Sequence, residues 1–283
     1  MDNDKNEEQT NPLEDILRHF KLYDQALDLK GSKEFNAAAD HLLKRLEQDS
    51  GEVSENEPEL SLYDAQAATS ESLPTDYVSA LFDQKAELFD LKLMEILKYS
   101  VPRKIHQSLQ SNNLGPFKRL LDLGCGTGLA AEALQERVSY KTGVDISKEM
   151  LKLAHDKHIY DEYHLSEINA FLYQNHADKW DLVVAAELFP YFGTLEEVFE
   201  GIMRNIEEDG IFVFSAEALL DQTEEAPDFH MSDTHRFSHT EHYLRNVLKQ
   251  FGFTPVEFNQ INLRNEQETP VPGYFVIARY KPT

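Results

Sequence analysis

Cysteine is almost missing from the chain: one residue, Cys125, in 283. A single thiol excludes a disulfide framework and any zinc site built on several cysteines. Long apolar runs are missing as well. No stretch of 18 uncharged apolar residues occurs, so no transmembrane helix is expected. The opening residues, MDNDKNEEQT, have neither a basic n-region nor an apolar h-region, which argues against a secretory leader. Positive charge is scarce, 27 Lys and Arg against 51 Asp and Glu, for a formal net charge of −24. So acidic a chain repels phosphate backbones and anionic lipid. These deficits predict a cytoplasmic protein with no nucleic-acid and no membrane partner. The composition does include 41% apolar residues, enough for a large core and against wholesale disorder. The length fits one large domain, or one domain with an appendage.

The charge is unevenly spread. Residues 1–74 hold 18 acids and 7 bases, and this front segment reads as helical. Asn11-Pro12-Leu13-Glu14 combines an N-cap, a first-turn proline and a capping-box acid, and Leu13, Ile16, Leu17, Phe20 and Tyr23 follow at helical spacing. Gly31, Phe35, Ala38, Leu42, Leu46 and Asp49 resemble part of a degenerate tetratricopeptide helix pair. Because such repeats stack in threes or more, a lone one must lean on something else. Residues 1–72 are therefore either a helical cap or a module that docks a protein partner.

From Pro74 the pattern changes. Residues 73–112 read as aromatic-rich lead-in helices, and from Lys118 strands and helices alternate. Apolar β-type runs occur at 119–123, 140–146, 180–186, 210–216, 253–260 and 274–280, with a weaker one at 160–165. Thr194-Leu195-Glu196-Glu197 reads as the capping box of an intervening helix. The alternation predicts an α/β fold: a doubly wound, seven-stranded, mostly parallel sheet with helices on both faces, preceded by the helical extension. Ligands of such sheets bind at the carboxyl ends of the strands, where strand order reverses.

The first of these strands ends in Leu120-Leu121-Asp122-Leu123-Gly124-Cys125-Gly126-Thr127-Gly128. Gly124 and Gly126 permit a sharp turn and a close ligand approach. The spacing is G-x-G-x-G, with Leu129 where the dinucleotide fingerprint has its third glycine, and no Gly-Lys-Ser/Thr follows as in a P-loop. Asp122 in front of the turn disfavours a phosphate and favours a cation. Asp145, closing the next strand, is placed to grip ribose hydroxyls. A cationic amino-acid end and a nucleoside end together describe S-adenosyl-L-methionine.

LDLGCGTG resembles the first motif of the class I, Rossmann-like methyltransferases at all eight positions. The resemblance implies that Gly124, Cys125 and Gly126 floor the methionine part, with Asp122 near its ammonium. Asp145 would hold the ribose, with Ile146 and Met150 against the adenine. Ser166-Glu167-Ile168 looks like the segment at the adenine edge, and Ala185-Ala186-Glu187 like the following motif, with Glu where Asp is frequent and Glu187 as a further cofactor contact. Tyr77 to Asp83, Phe89-Asp90, Arg236 to Thr240, Leu263 to Glu266 and Pro270 to Gly273 resemble signatures of a bacterial group of these enzymes that often carries tetratricopeptide-type helices in front. Methyl transfer to a small-molecule acceptor by in-line displacement is the expected activity. A protein-binding or cofactor-sensing scaffold with an inactive fold is the alternative.

Within the turn Cys125 reads as a small packing residue rather than a nucleophile. Ser238-His239-Thr240-Glu241 reads as a capping box that puts His239 in a first helical turn, where the dipole would keep it neutral, as a general base requires. His239 and Tyr191 are thus the candidate catalytic residues, although His239 reads equally as a substrate contact or a structural histidine. Arg236 and Arg264 would anchor a substrate carboxylate or pair with acids of the chain. His230, His235, His239 and His242 lack any second-shell pattern, so no metal is expected. Residues 218–237 read as a lid-like loop.

Overall fold

The computed structural model describes residues 72–86, 89–91, 93, 97–174, 179–220, 227–232, 234–266 and 269–282. The expected helical extension, except for Ser72, lies outside the described residues. After an isolated bridge from Ser72 to Phe192, the lead-in segment forms α1 (Thr75–Lys85), a helical turn (Phe89–Leu91) and α2 (Val101–Ser111). Then follow β1 (Phe117–Leu123), α3 (Leu129–Ala133), β2 (Val138–Asp145), α4 (Lys148–Asp156), β3 (Glu162–Leu165), α5 (Ile168–Leu172) and β4 (Trp180–Ala185). A 3₁₀ turn (Phe189–Tyr191) leads into α6 (Glu196–Asn205), β5 (Ile206–Ala218), β6 (Phe229–Met231), β7 (Phe237–His239), α7 (Glu241–Gln250), β8 (Phe253–Glu266) and β9 (Thr269–Tyr280). No helix among the described residues is long and apolar enough to cross a membrane.

The strands share one sheet. β3, β2, β1, β4 and β5 run parallel in that order, and β9 joins β5 antiparallel with β8 outside it. Strand order reverses between β1 and β4, and the crevice lies beyond their carboxyl ends. Successive residues of the central strands serve opposite cores. Leu121, Val183, Ala185, Phe212 and Phe214 pack with α5, α6 and α7, whereas Leu120, Leu182, Val184, Ile211 and Val213 pack with α2, α3 and α4. A sheet covered on both faces needs continuous apolar strands, which is why these runs show no polar alternation.

Three expectations are corrected. The sheet has nine strands among the described residues, not seven, and β6, β8 and β9 pair antiparallel. The additional pair begins inside the supposed loop 218–237, with β6, and runs past its end, with β7. β5 continues to Ala218, and Glu217 and Ala218 pair in parallel with Ser238 and His239 of β7, which β6 backs in turn. A short hairpin thus extends the sheet beyond the end of β4. The capping box at Thr194 does not form either. Leu195 is the N-cap, and the Glu196 carboxylate accepts from Leu195 N–H and the Tyr243 hydroxyl instead.

β8 and β9 are also longer than their apolar stretches, because a hairpin paired as far as Glu266 and Thr269 absorbs the polar run Asn259–Asn262 and both Pro270 and Pro272. At its neck Gly273 faces Leu263. A Cβ there would overlap the Leu263 side chain and sit 2.6 Å from the Ala216 carbonyl oxygen, which belongs to backbone and cannot step aside. Gly273→Ala is expected to lose ~2 kcal/mol of stability by overpacking, read as a lower urea midpoint; an unchanged midpoint would mean that the hairpin shifts freely.

Candidate functional site

The crevice is built on the turn after β1. Gly124, Gly126 and Gly128 all have positive φ, 66°, 53° and 93°, a region that costs a residue with a Cβ but not glycine. Gly124 and Cys125 N–H donate to the Val144 carbonyl at 2.9 and 3.0 Å, tying the turn to β2. Gly128 is the left-handed N-cap of α3. Gly126 N–H points at the tip of β2, where Asp145 Oδ2 accepts it at 2.7 Å, and Ser147 N–H donates to Oδ1 at 2.8 Å. Burial outweighs these donors and raises the Asp145 pKa. The Ile146 N–H acts on the same carboxylate, and of its roughly four acceptor positions at least one remains.

Asp122 lies beneath the turn, 1% exposed, and accepts the Tyr160 hydroxyl on Oδ2 at 2.7 Å. Burial pushes its pKa up to about 7, against the pull of that hydrogen bond and with a further push from Asp145. Cys125 is buried, and burial raises its thiol well above the usual range. A thiol so held is protonated and suits packing, not attack.

The other expected cofactor contacts divide. The Ile146 carbonyl accepts Ser79 Oγ at 3.3 Å, and the Ser147 hydroxyl caps α4 by accepting Met150 N–H at 3.1 Å while Met150 itself is fully buried. Glu167 caps α5, taking Asn169 and Ala170 N–H on its two oxygens at 2.9 and 2.7 Å, and Ile168 is core. Two acids of the lead-in segment, quoted in the sequence only as part of a signature, strap the crevice. Asp83 Oδ1 accepts the Ser147 hydroxyl at 2.6 Å and Glu149 N–H at 3.2 Å, and Asp90 receives Thr127 Oγ1 and Lys157 Nζ. Phe89 lies against Gly126, next to Phe82, which meets Tyr191 edge-on at 5.3 Å.

Beyond β4 a second polar group collects. Glu187 Oε1 accepts Arg236 Nη2 at 2.7 Å and Arg264 Nη1 at 2.8 Å. Glu217 Oε1 accepts Arg236 Nε at 2.6 Å and Arg264 Nη2 at 2.7 Å, and Arg264 also reaches Glu266. Arg236 Nη1 donates to the Tyr191 hydroxyl at 2.9 Å. Burial pushes Glu187 up despite both guanidiniums, whereas on Glu217 the guanidiniums outweigh burial and hold it low. Of the two roles open to Arg236 and Arg264, each takes the pairing with acids of the chain.

His239 is not in a helical turn. It ends β7, and Thr240 is the cap of α7, its hydroxyl accepting Tyr243 N–H at 3.2 Å. Ser238 is held in the hairpin, so the cap falls two residues later than the sequence suggested, and no reciprocal box forms because the third residue after Thr240 is Tyr243. The imidazole is fully buried, stacks on Tyr243 and donates from Nε2 to the Gly193 carbonyl at 2.9 Å. It is neutral because burial, not a dipole, lowers its pKa to about 4. That bond fixes β7 to the strand-to-helix turn that carries Tyr191. Among the described residues no three His, Cys, Asp or Glu converge on a metal position.

The residues at the first turn fit S-adenosylmethionine. Among the described residues two carboxylates and no guanidinium stand at this turn, suiting a cationic ligand, and the Asp145 carboxylate that holds loop N–H groups keeps an acceptor position for a hydroxyl.

A family model described as a methyltransferase domain matches residues 93–257. The ubiquinone biosynthesis O-methyltransferase of Actinobacillus pleuropneumoniae is 27% identical over 106 residues, 35% of this chain and 45% of that protein. The malonyl-[acyl-carrier protein] O-methyltransferase of Bacillus cereus is 27% identical over 101 residues, 34% of this chain and 36% of that one. The chain thus spans less than half the length of these curated relatives. Among solved structures, magnesium protoporphyrin IX methyltransferase of Synechocystis with bound S-adenosylhomocysteine superposes with a TM-score of 0.57 at 13% identity, over 74% of this chain and 100% of that one. That likeness concerns the fold. The glycine turn, the acid at the tip of β2 and the match over more than half of its length lead to one conclusion: this chain belongs to the methyltransferase-domain family.

Proposed function

We propose that the chain transfers a methyl group from S-adenosylmethionine to a small-molecule acceptor. The observation that carries this reading is the junction of the two strand ends, where the Asp145 carboxylate is held between Gly126 N–H and Ser147 N–H directly over the left-handed glycine turn. Bound there, the cofactor supplies an already activated methyl on a sulfonium. Asp145 would hold its ribose hydroxyls, the glycine turn would leave room for its amino-acid end, and Asp122 would offset its positive charge. Ile146, Met150, Glu167 and Ile168 would border the adenine, Met150 and Ile168 by keeping the backbone in place. Tyr191 faces the acceptor side, and His239 acts by holding the Tyr191 turn. The chain's contribution is positioning and exclusion of water, which supplies much of the rate when the leaving group is this good.

Isothermal titration with S-adenosylmethionine and S-adenosylhomocysteine tests the reading. Micromolar binding is expected, and the absence of binding below about a millimolar ends it. Asp145→Ala is expected to weaken both ligands at least ~10-fold, about 1.4 kcal/mol, and also to lower the thermal midpoint, because Gly126 and Ser147 N–H lose their acceptor. Wild-type affinity in that variant would remove Asp145 from the ribose.

A further inference from the structure

The arginine–glutamate group beyond β4 has an imbalance that the cofactor reading leaves unused. Its hydrogen bonds converge on one oxygen of each part-buried carboxylate: Glu187 Oε1 and Glu217 Oε1 each take both guanidiniums. Glu187 Oε2 is buried and meets no hydrogen-bond partner among the described residues. A buried acceptor with nothing to accept is costly, and neighbouring side chains are already committed. Tyr99, whose ionisation Glu187 opposes, gives its hydroxyl to the Ala186 carbonyl at 3.1 Å.

The position of this oxygen in the chain is informative. Glu187 follows β4, next to β1 at the strand reversal, and the next residue, Leu188, lies against Gly124 of the cofactor turn. From the same turn a row of rings, Phe89, Phe82 and Tyr191, leads to Arg236. An apolar wall therefore connects the glycine turn with the group that contains the unpartnered oxygen.

We propose that Glu187 Oε2 binds the acceptor, and that the acceptor is a small aromatic or apolar molecule whose methylated atom is an amine nitrogen or a hydroxyl oxygen bearing hydrogen. The inference rests on the methyl-transfer reading and deepens it. Arg236 and Arg264 are positioning residues: together they fix Oε1 and so aim Oε2. Three carboxylates face two guanidiniums, leaving the group with an excess negative charge and Arg264 already bound to Glu187, Glu217 and Glu266. A carboxylate or phosphate acceptor finds no vacant fork there. In the transfer the acceptor's lone pair closes a bond to the methyl carbon while the carbon–sulfur bond opens with its pair onto sulfur. The proton released from nitrogen or oxygen passes to Glu187 Oε2 and from there to water. Burial, which raises the affinity of Glu187 for a proton, suits that acceptance.

The test uses the full chain saturated with S-adenosylhomocysteine and three ring-bearing probes, benzylamine, phenol and benzoate, followed by ligand-observed NMR titration. Benzylamine and phenol are expected to bind saturably and benzoate at least ~10-fold more weakly. Glu187→Gln is expected to weaken benzylamine at least ~10-fold while the affinity for S-adenosylhomocysteine stays within twofold. Benzoate binding as well as benzylamine, insensitivity of benzylamine to Glu187→Gln, or no saturable binding of any probe to the loaded protein would each overturn the proposal. The comparison of probes on the wild-type protein decides the matter even where the variant does not fold. Should S-adenosylhomocysteine itself not bind, the methyl-transfer reading falls and this inference with it; cofactor binding without probe selectivity sinks this inference alone.

Discussion

Arg264→Ala is expected to cost ~3–5 kcal/mol of folding stability, the range for removing one partner of a buried ionic group. Arg264 is 4% exposed, and its guanidinium reaches Glu187 at 2.8 Å, Glu217 at 2.7 Å and Glu266 at 2.6 Å. Glu266 is half in water and can turn away at little cost. Glu187 and Glu217, at 20% and 13% exposed, are held far more tightly, and Arg236 alone would then face both carboxylates. The same reasoning predicts strong coupling: Glu217→Gln in the Arg264→Ala background should cost less than in the wild type, since it removes one of the stranded charges. Urea denaturation of the four proteins of the cycle measures this. A loss below ~1 kcal/mol for Arg264→Ala, or additive single effects, would mean that the group is hydrated and flexible. The expected loss is no evidence that the group exists for stability. Replacing such a cluster by apolar residues is often neutral, so its retention beside the crevice is better explained by what it aims.

The central half of the fold was open to reading because its signals are local. Leu120 to Gly128 holds strand, turn and helix start in nine consecutive residues, and the β1, β2, β4 and β5 runs are apolar on both faces because both faces are covered. What escaped depends on pairing across long sequence distances. Residues 261–266 and Pro270–Pro272 gave no strand signal, and only their mutual register turns them into a hairpin. Ser238 and Thr240 are equally good helix caps in isolation; the pairing of Glu217 and Ala218 with Ser238 and His239 claims the first and leaves the second to cap α7.

The site divides in the same way. Asp122 and Asp145 were named from their places at strand ends, and both stand at the turn. Glu167 followed by a helix start is compatible with a ligand contact or a cap, and the sequence does not say that both its oxygens go to Asn169 and Ala170. The Arg236–Glu187 and Arg264–Glu187 contacts span 49 and 77 residues, and a chain with 51 acids offers each arginine too many partners to choose from. Tyr160, which holds Asp122, gave no signal at all.

Asp122 leads to the second large expectation, a stability that falls as pH rises. Its pKa is about 7 in the folded protein against 3.8 for a free aspartate side chain. A raised pKa means that the folded state holds the proton more tightly. The resulting stabilisation is complete below about pH 4, drains away through pH 7 and is gone above it, a swing of ~4 kcal/mol. His239 works in the opposite sense. Its pKa, lowered from 6.5 to about 4, gives stability that is present above pH 6.5 and lost as pH falls toward 4. The two slopes partly cancel in the wild-type profile, so a variant is needed to separate them. Asp122→Asn keeps an acceptor for the Tyr160 hydroxyl and cannot ionise. Relative to wild type it should gain up to ~2.7 kcal/mol between pH 5 and pH 8, the part of the swing that lies above pH 5, read from urea midpoints at both values. Parallel profiles would show that water reaches the carboxylate. The same group ties stability to the cofactor. A bound ammonium beside Asp122 favours its ionised form, so S-adenosylhomocysteine should bind more tightly as pH rises toward 7 and release a proton below it. In Asp122→Asn both the pH dependence and the proton release, measured by calorimetry in buffers of different ionisation enthalpy, should vanish.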